Sequence, residues 1–213
     1  MGAIRRQAAA TGARHAIDWG VAHATLRGEP VSGDCHLVVP FPNGALAAVV
    51  DGLGHGRSAA DAAEAAVASL QSHCQDPVES LFRRCHESLR GTRGATLSMA
   101  SFDAARGTLS WMGVGNVEGV VLRADRDAVP ARVWIRLFPG VVGHHLPAFR
   151  PVTTLIYPGD LLILFTDGVR SDFLSEPIFR QDPQRMADGI CGKHRKATDD
   201  SLVLVARYGR GLP

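Results

Sequence analysis

Two adjacent helical segments interrupt a chain that otherwise reads as one strand after another, and this limits the folds open to it. Residues 35–39 and 45–50 are short apolar runs separated by Pro40, Pro42, Asn43 and Gly44, which reads as a strand, a turn and a buried strand. A glycine-rich loop follows, and then Ala59, Ala62, Ala63, Ala66, Val67 and Leu70 recur at helical spacing. Pro77 separates this helix from a second one with the apolar face Val78, Leu81, Phe82, Cys85 and Leu89. Asp76 is placed to cap that second helix, with Pro77 at its first position and Glu79 completing a capping box. Beyond Gly94, residues 95–102, 108–114, 119–123, 131–138, 152–157, 161–166 and 202–208 read as strands, and one late helix fits 183–192. Strict alternation of strand and helix, the mark of a parallel doubly wound sheet, is missing. The expectation is an α+β fold, with an antiparallel sheet or pair of sheets and helices packed outside.

Composition sets the frame for function. The chain has 213 residues, long enough for one domain with a substantial core. Acids and bases are interspersed, the net charge is +2, and no five like charges run together, which argues against a nucleic-acid partner. No segment approaches the roughly 18 apolar residues of a membrane span, and residues 1–16 hold Arg5, Arg6 and Arg14 without a signal-peptide core. Cys35, Cys74, Cys85 and Cys191 are widely spaced, so reduced thiols in a cytoplasmic protein are expected rather than a zinc or redox site. The expected organisation is an extension at 1–16, one domain at 17–208 and a tail at 209–213, in a monomer. Trp19, Trp111 and Trp134 are expected in the core.

The chemistry is carried by single aspartates. Asp51 ends an apolar strand and opens Asp51-Gly52-Leu53-Gly54-His55-Gly56, and Asp167 ends the run 161–166 and is again followed by glycine. Asp34 precedes the strand that leads to Asp51, and Asp199 and Asp200 precede the last apolar strand. Each Asp-Gly alone is a common turn dipeptide, but the same pattern twice after strongly apolar strands is not explained by turns. Carboxylates gathered at the rim of one sheet need a neutralising partner, and the local sequence offers Arg57 and Arg170, each three or more positions on. Oxygen ligands without a His or Cys cluster favour Mg²⁺ or Mn²⁺, and Gly52 would let its carbonyl approach such an ion closely. A nucleotide loop fits poorly, because the spacing is G-x-G-x-G with no following Gly-Lys-Ser/Thr.

These segments, together with Ser32-Gly33-Asp34, Phe165-Thr166-Asp167-Gly168-Val169 and Asp199-Asp200-Ser201-Leu202-Val203, resemble the signature motifs of the PPM protein phosphatases, closest to their SpoIIE-like branch. The likeness runs from about Ile17 to Arg207. Gly115-Asn116-Val117-Glu118 stands where many of that branch carry Gly-His-Pro-Pro, which narrows the resemblance to the small RsbX-like members without a sensor domain. The resemblance implies a four-layer α-β-β-α sandwich, two antiparallel sheets flanked by helices, with a two-metal site at one end. It implies that Asp51 bridges two Mn²⁺ or Mg²⁺ ions as the central catalytic residue, that the Gly52 carbonyl binds one ion, and that Asp34, Asp167 and Asp199 complete the ligand set. Asp200 competes with Asp199, because Leu202 takes a position where the family carries Thr or Ser.

The activity so implied is direct hydrolysis of phosphoserine or phosphothreonine without a covalent intermediate, on phosphorylated RsbS/RsbR-like stressosome components that regulate the general stress response. His55 is a candidate proton donor or a loop-packing residue, and a water in the site is the other donor. Arg57 and Arg170 are candidate phosphate ligands. A phosphatase for another anti-anti-sigma factor, and a pseudophosphatase that binds a phosphoprotein without turnover, are the competing readings.

Overall fold

Alternation along two strands builds three apolar layers at once. In β3 (Gly44–Gly52), Leu46, Ala48 and Val50 face one cluster while Ala45, Ala47 and Val49 face another. In β10 (Leu161–Phe165), Leu162 and Leu164 join the second cluster while Leu161, Ile163 and Phe165 join a third. Strands buried on both faces must be covered on both, and this dictates four layers. The structure, a computed structural model, describes residues 16–125, 127–175 and 181–209. The expected extension and tail lie outside the described residues apart from Ala16 and Gly209.

One sheet has the order β1-β11-β10-β6-β7, formed by β1 (Ile17–Ala24), β11 (Ser201–Tyr208), β10, β6 (Glu118–Leu122) and β7 (Arg132–Trp134), all antiparallel. The other has the order β2-β3-β4-β5-β8, formed by β2 (Asp34–Phe41), β3, β4 (Ala95–Asp103), β5 (Thr108–Val114) and β8 (Leu137–Phe138). β9 (Val152–Leu155) shares the outer edge of β5 with β8, which is the single parallel pairing among the described strands. Helices α1 (Arg57–Ser72) and α2 (Val78–Ser88) cover the six-stranded sheet, and α3 (Pro183–His194) covers the five-stranded one. The expected α+β sandwich of two sheets between helices is therefore the fold found.

Local chemistry explains the helices. The alanines of α1 favour helix and keep its buried face thin, so Ala59, Ala62, Ala63 and Ala66 lie against the sheet with no exposed surface. In α2 the face Val78, Leu81, Phe82 and Cys85 is buried as the spacing predicts. The capping box is not formed: Pro77 is the cap residue, no side chain caps it, and Asp76 accepts from Arg84 Nε at 2.8 Å instead. At α3 the carboxylate of Asp182 does cap, accepting from Arg185 N at 3.0 Å with Pro183 opening the helix.

β1 was not anticipated, because Ile17–Ala24 mixes exposed and buried positions as an edge strand does. The run 131–138 is two strands in different sheets. Ile135 N donates to Gly119 O in one sheet at 2.8 Å, and Arg136 O accepts from Gly113 N in the other at 3.1 Å, so the chain crosses between them there. Trp111 is core, Trp19 is half-buried, and Trp134 on the edge strand β7 is 48% exposed. All four cysteines are free, with Cys85 and Cys191 buried.

Candidate metal centre

The acids meet because antiparallel pairing brings strand ends together. Asp34 and Asp51 are cross-strand partners of β2 and β3, and Thr96 of β4 stands beside Asp51 on its other side. In the facing sheet β10 runs out into Thr166 and Asp167 where β11 begins, and Thr166 N donates to Leu202 O at 3.0 Å. Asp199 and Asp200 lie just before β11, so all the acid motifs fall at one end of the sandwich.

Both Asp-Gly pairs need their glycine for the same reason. A Cβ on Gly52 would lie 2.0 Å from the carbonyl oxygen of Ala59 in α1, and one on Gly168 would lie 1.7 Å from that of Asp200. Main chain packs directly on main chain at both places, which only glycine permits. Gly52 itself is buried, outside the cleft lining, with its carbonyl oxygen toward Gly33.

Hydrogen bonds sort the aspartates. Asp200 is 4% exposed and both its oxygens are taken, accepting from Leu26 N and Gly33 N at 2.7 Å each. It ties the β2 approach to the β11 approach. Among the described residues Asp199 accepts from Asp200 N alone, at 2.8 Å, and it lines the cleft. Asp34, 7% exposed, accepts from the Thr166 hydroxyl at 2.8 Å, and that hydroxyl in turn accepts from Leu202 N at 2.9 Å. Asp167 accepts from Asn116 Nδ2 at 2.7 Å, and the Thr96 hydroxyl donates to Asn116 Oδ1.

The cleft, of about 380 Å³, is lined by Asp51, Asp167, Asp199, Asn116, Thr96 and His55 among others. Asp34 sits beside Asp51 without reaching the lining. Burial first, and then the neighbouring charge of Asp51, pushes the Asp34 carboxyl up to about 8. Burial, followed by Asp167 and Asp199, pushes Asp51 up to about 7. These are acids short of positive charge. Among the described residues no three His, Cys, Asp or Glu groups stand at the spacing of a closed ligand set. Asp34, Asp167 and Asp199 each give one oxygen to a protein donor and keep the other for a further partner. An oxygen-only donor set with excess negative charge fits Mg²⁺ or Mn²⁺.

The basic groups fall differently from the sequence reading. Arg170 is engaged by Asp172 at 3.4 Å and by Lys193 O at 3.2 Å and does not line the cleft, and Arg57 is exposed. Sequence reasoning passed over two cations beside the acid loops. Lys196 Nζ donates to the Asp167 carbonyl at 2.6 Å, and Arg93 Nη1 lies 2.6 Å from where a Cβ on Gly54 would be. It also gave no role to Thr96 and Thr166. Their partners lie far away in the chain, and only the polarity of Thr166 beside Asp167 hints at a site. His55 is exposed and contacts Glu29 Oε1 through Nδ1 at 2.6 Å.

Two facing sheets, helices on both outer faces and an acidic cleft at the strand ends define the PP2C class of protein serine/threonine phosphatases. A chain solved in work on the bacterial stressosome, a modular system adapted to control secondary messenger signalling, superposes with a TM-score of 0.82 at 30% identity, covering 90% of this chain and 99% of that one. RsbX in complex with magnesium superposes with a TM-score of 0.81 at 20% identity, covering 93% and 98%. The phosphoserine phosphatase RsbX of Bacillus subtilis (strain 168) is 28% identical over 146 residues, 67% of this chain and 69% of RsbX. The family model of Stage II sporulation protein E (SpoIIE) matches residues 42–209, and the chain belongs to that family.

Proposed function

We propose that the chain is a Mn²⁺- or Mg²⁺-dependent phosphatase acting in the cytoplasm, as a monomer, on phosphoserine or phosphothreonine of stressosome-type regulatory proteins. The observation that carries the reading is the shared cleft of Asp51, Asp167 and Asp199 with Asp34 buried beside it, all short of positive charge. Support for the ion comes from the magnesium complex of RsbX, and support for the substrate class comes from the phosphoserine phosphatase and stressosome relatives.

In this reading Asp51, Asp34, Asp167 and Asp199 would hold the ions. A pair of bound ions would supply charge neutralisation and activation of water for in-line attack. The chain's own residues set the geometry. Thr166, Asn116 and the Asp200 N–H each hold one carboxylate oxygen and so direct the other. Arg93, beside the Asp51 loop, takes charge on the phosphoryl oxygens. His55, oriented by Glu29, holds a proton for the leaving alkoxide at the rim.

The departure at Leu202 leaves the cleft intact, because that side chain is buried in the core between the sheets and only its main chain meets Thr166. The test is phosphate release from a phosphorylated stressosome scaffold protein, with and without Mn²⁺, by the wild type and by Asp51→Ala. Release that needs Mn²⁺ and vanishes in the variant is expected. Metal binding without release would leave a phosphoprotein-binding module instead.

A further inference from the structure

We propose that Asn116 is a positioning residue for Asp167, and that Thr96 anchors the far end of its amide. The proposal rests on the metal-dependent reading above and goes beyond it by giving this turn a task.

Asn116 sits in the turn between β5 and β6, exposed at the cleft wall. Its Nδ2 donates to Asp167 Oδ2 at 2.7 Å, while its Oδ1 accepts from the Thr96 hydroxyl. The carboxylate takes the NH₂ end of the amide, which leaves Oδ1 to accept the Thr96 hydroxyl proton. The flipped amide would set an oxygen against a carboxylate and leave its NH₂ on the hydroxyl. The Asn116 side chain also offsets part of the rise in Asp51, so it serves both Asp-Gly motifs.

The turn is pinned from below. Gly115 N donates to Phe138 O at 2.9 Å, and the Ser98 hydroxyl donates to Val117 O at 2.5 Å. Thr96 and Ser98 are two apart on β4 and therefore on one face, and both are buried. The face carries apolar Ala100 and Phe102 further along, so its acid end alone is polar. Two buried hydroxyls thus hold a turn whose one exposed side chain grips a carboxylate. Asp167 keeps its other oxygen for the ion, aimed by a donor on the turn that crosses from one sheet to the other. Partners of this kind, behind a ligand, typically change metal affinity about 10–100-fold when removed.

The experiment is Mn²⁺ titration of the full chain by calorimetry, alongside urea unfolding of the metal-free protein. Asn116→Ala should weaken Mn²⁺ binding about 10-fold or more and leave the metal-free unfolding midpoint near that of the wild type. Thr96→Val should weaken binding in the same direction, Thr96→Ser should restore it, and the double variant Thr96→Val with Asn116→Ala should be no weaker than Asn116→Ala alone. Unchanged affinity in Asn116→Ala, with the wild type binding Mn²⁺, overturns the positioning role alone. Additive losses in the double variant overturn the part given to Thr96. A wild type that binds no Mn²⁺ overturns the metal-dependent reading and this proposal with it.

Discussion

Thr166 and Asp34 stand 132 positions apart in the chain, and the hydroxyl of the first donates to Oδ2 of the second at 2.8 Å in a buried contact between the two sheets. The same hydroxyl accepts from Leu202 N at 2.9 Å. One side chain thus joins the end of β10, the start of β11 and the start of β2. Replacing it with valine keeps the shape but leaves a buried N–H and a buried carboxyl oxygen without their partner. Thr166→Val should lower metal-free stability by roughly 1–3 kcal/mol, read as a shift of the urea midpoint.

Asp199 and Asp200 should separate cleanly by mutation. Asp200→Ala removes the acceptor of two main-chain donors and should destabilise the fold by roughly 2 kcal/mol or more, seen in thermal unfolding without metal. Asp199→Asn should unfold like the wild type, yet lose most Mn²⁺-dependent phosphate release. The reverse pattern would assign the ligand to Asp200.

Stability of the metal-free protein should fall as the pH rises. The carboxyls of Asp34 and Asp51 ionise near 3.8 when unfolded, but only at about 8 and about 7 in the fold. Between those values the folded state binds more protons than the unfolded one, so unfolding is favoured with each step up in pH. Their contribution is whole below about pH 4 and lost by about pH 8. Urea midpoints measured across this window in EDTA should drop, and saturating Mn²⁺ should remove the drop. A flat profile in EDTA would contradict the buried, mutually repelling arrangement.

Arg93 should act on binding rather than on turnover. With p-nitrophenyl phosphate and Mn²⁺, Arg93→Ala should raise KM and the inhibition constant of inorganic phosphate about 10-fold, the loss of one charge-assisted contact, with Mn²⁺ affinity unchanged. Arg57→Ala serves as the control, and an equal effect there would remove the special place of Arg93.

Much of the fold was legible because burial on both faces leaves a period-free apolar run, and the ends of such runs stand out. Residues 45–50 and 161–166 end at Asp51 and Asp167, and those two acids do reach one cleft. β1 was not legible, since an edge strand half open to solvent carries no clear period. Nor was the break at Ile135, where two short strands of different sheets read as one. The choice between Asp199 and Asp200 was closed to sequence, because adjacent acids look alike until their neighbours are known.

What the sequence by itself determined was the α+β plan of strands with helices outside and the approximate address of the acids: continuous apolar runs and helical spacing are local, and each residue carries its own polarity. What only the tertiary structure decided was the sorting of those acids. Asp200 became a main-chain tie, Asp34 a buried partner of Thr166, and Asp167 a carboxylate gripped by Asn116. The reason is physical: a carboxylate's role follows from which donors reach it, and here most of them come from loops and strand ends far away in the chain.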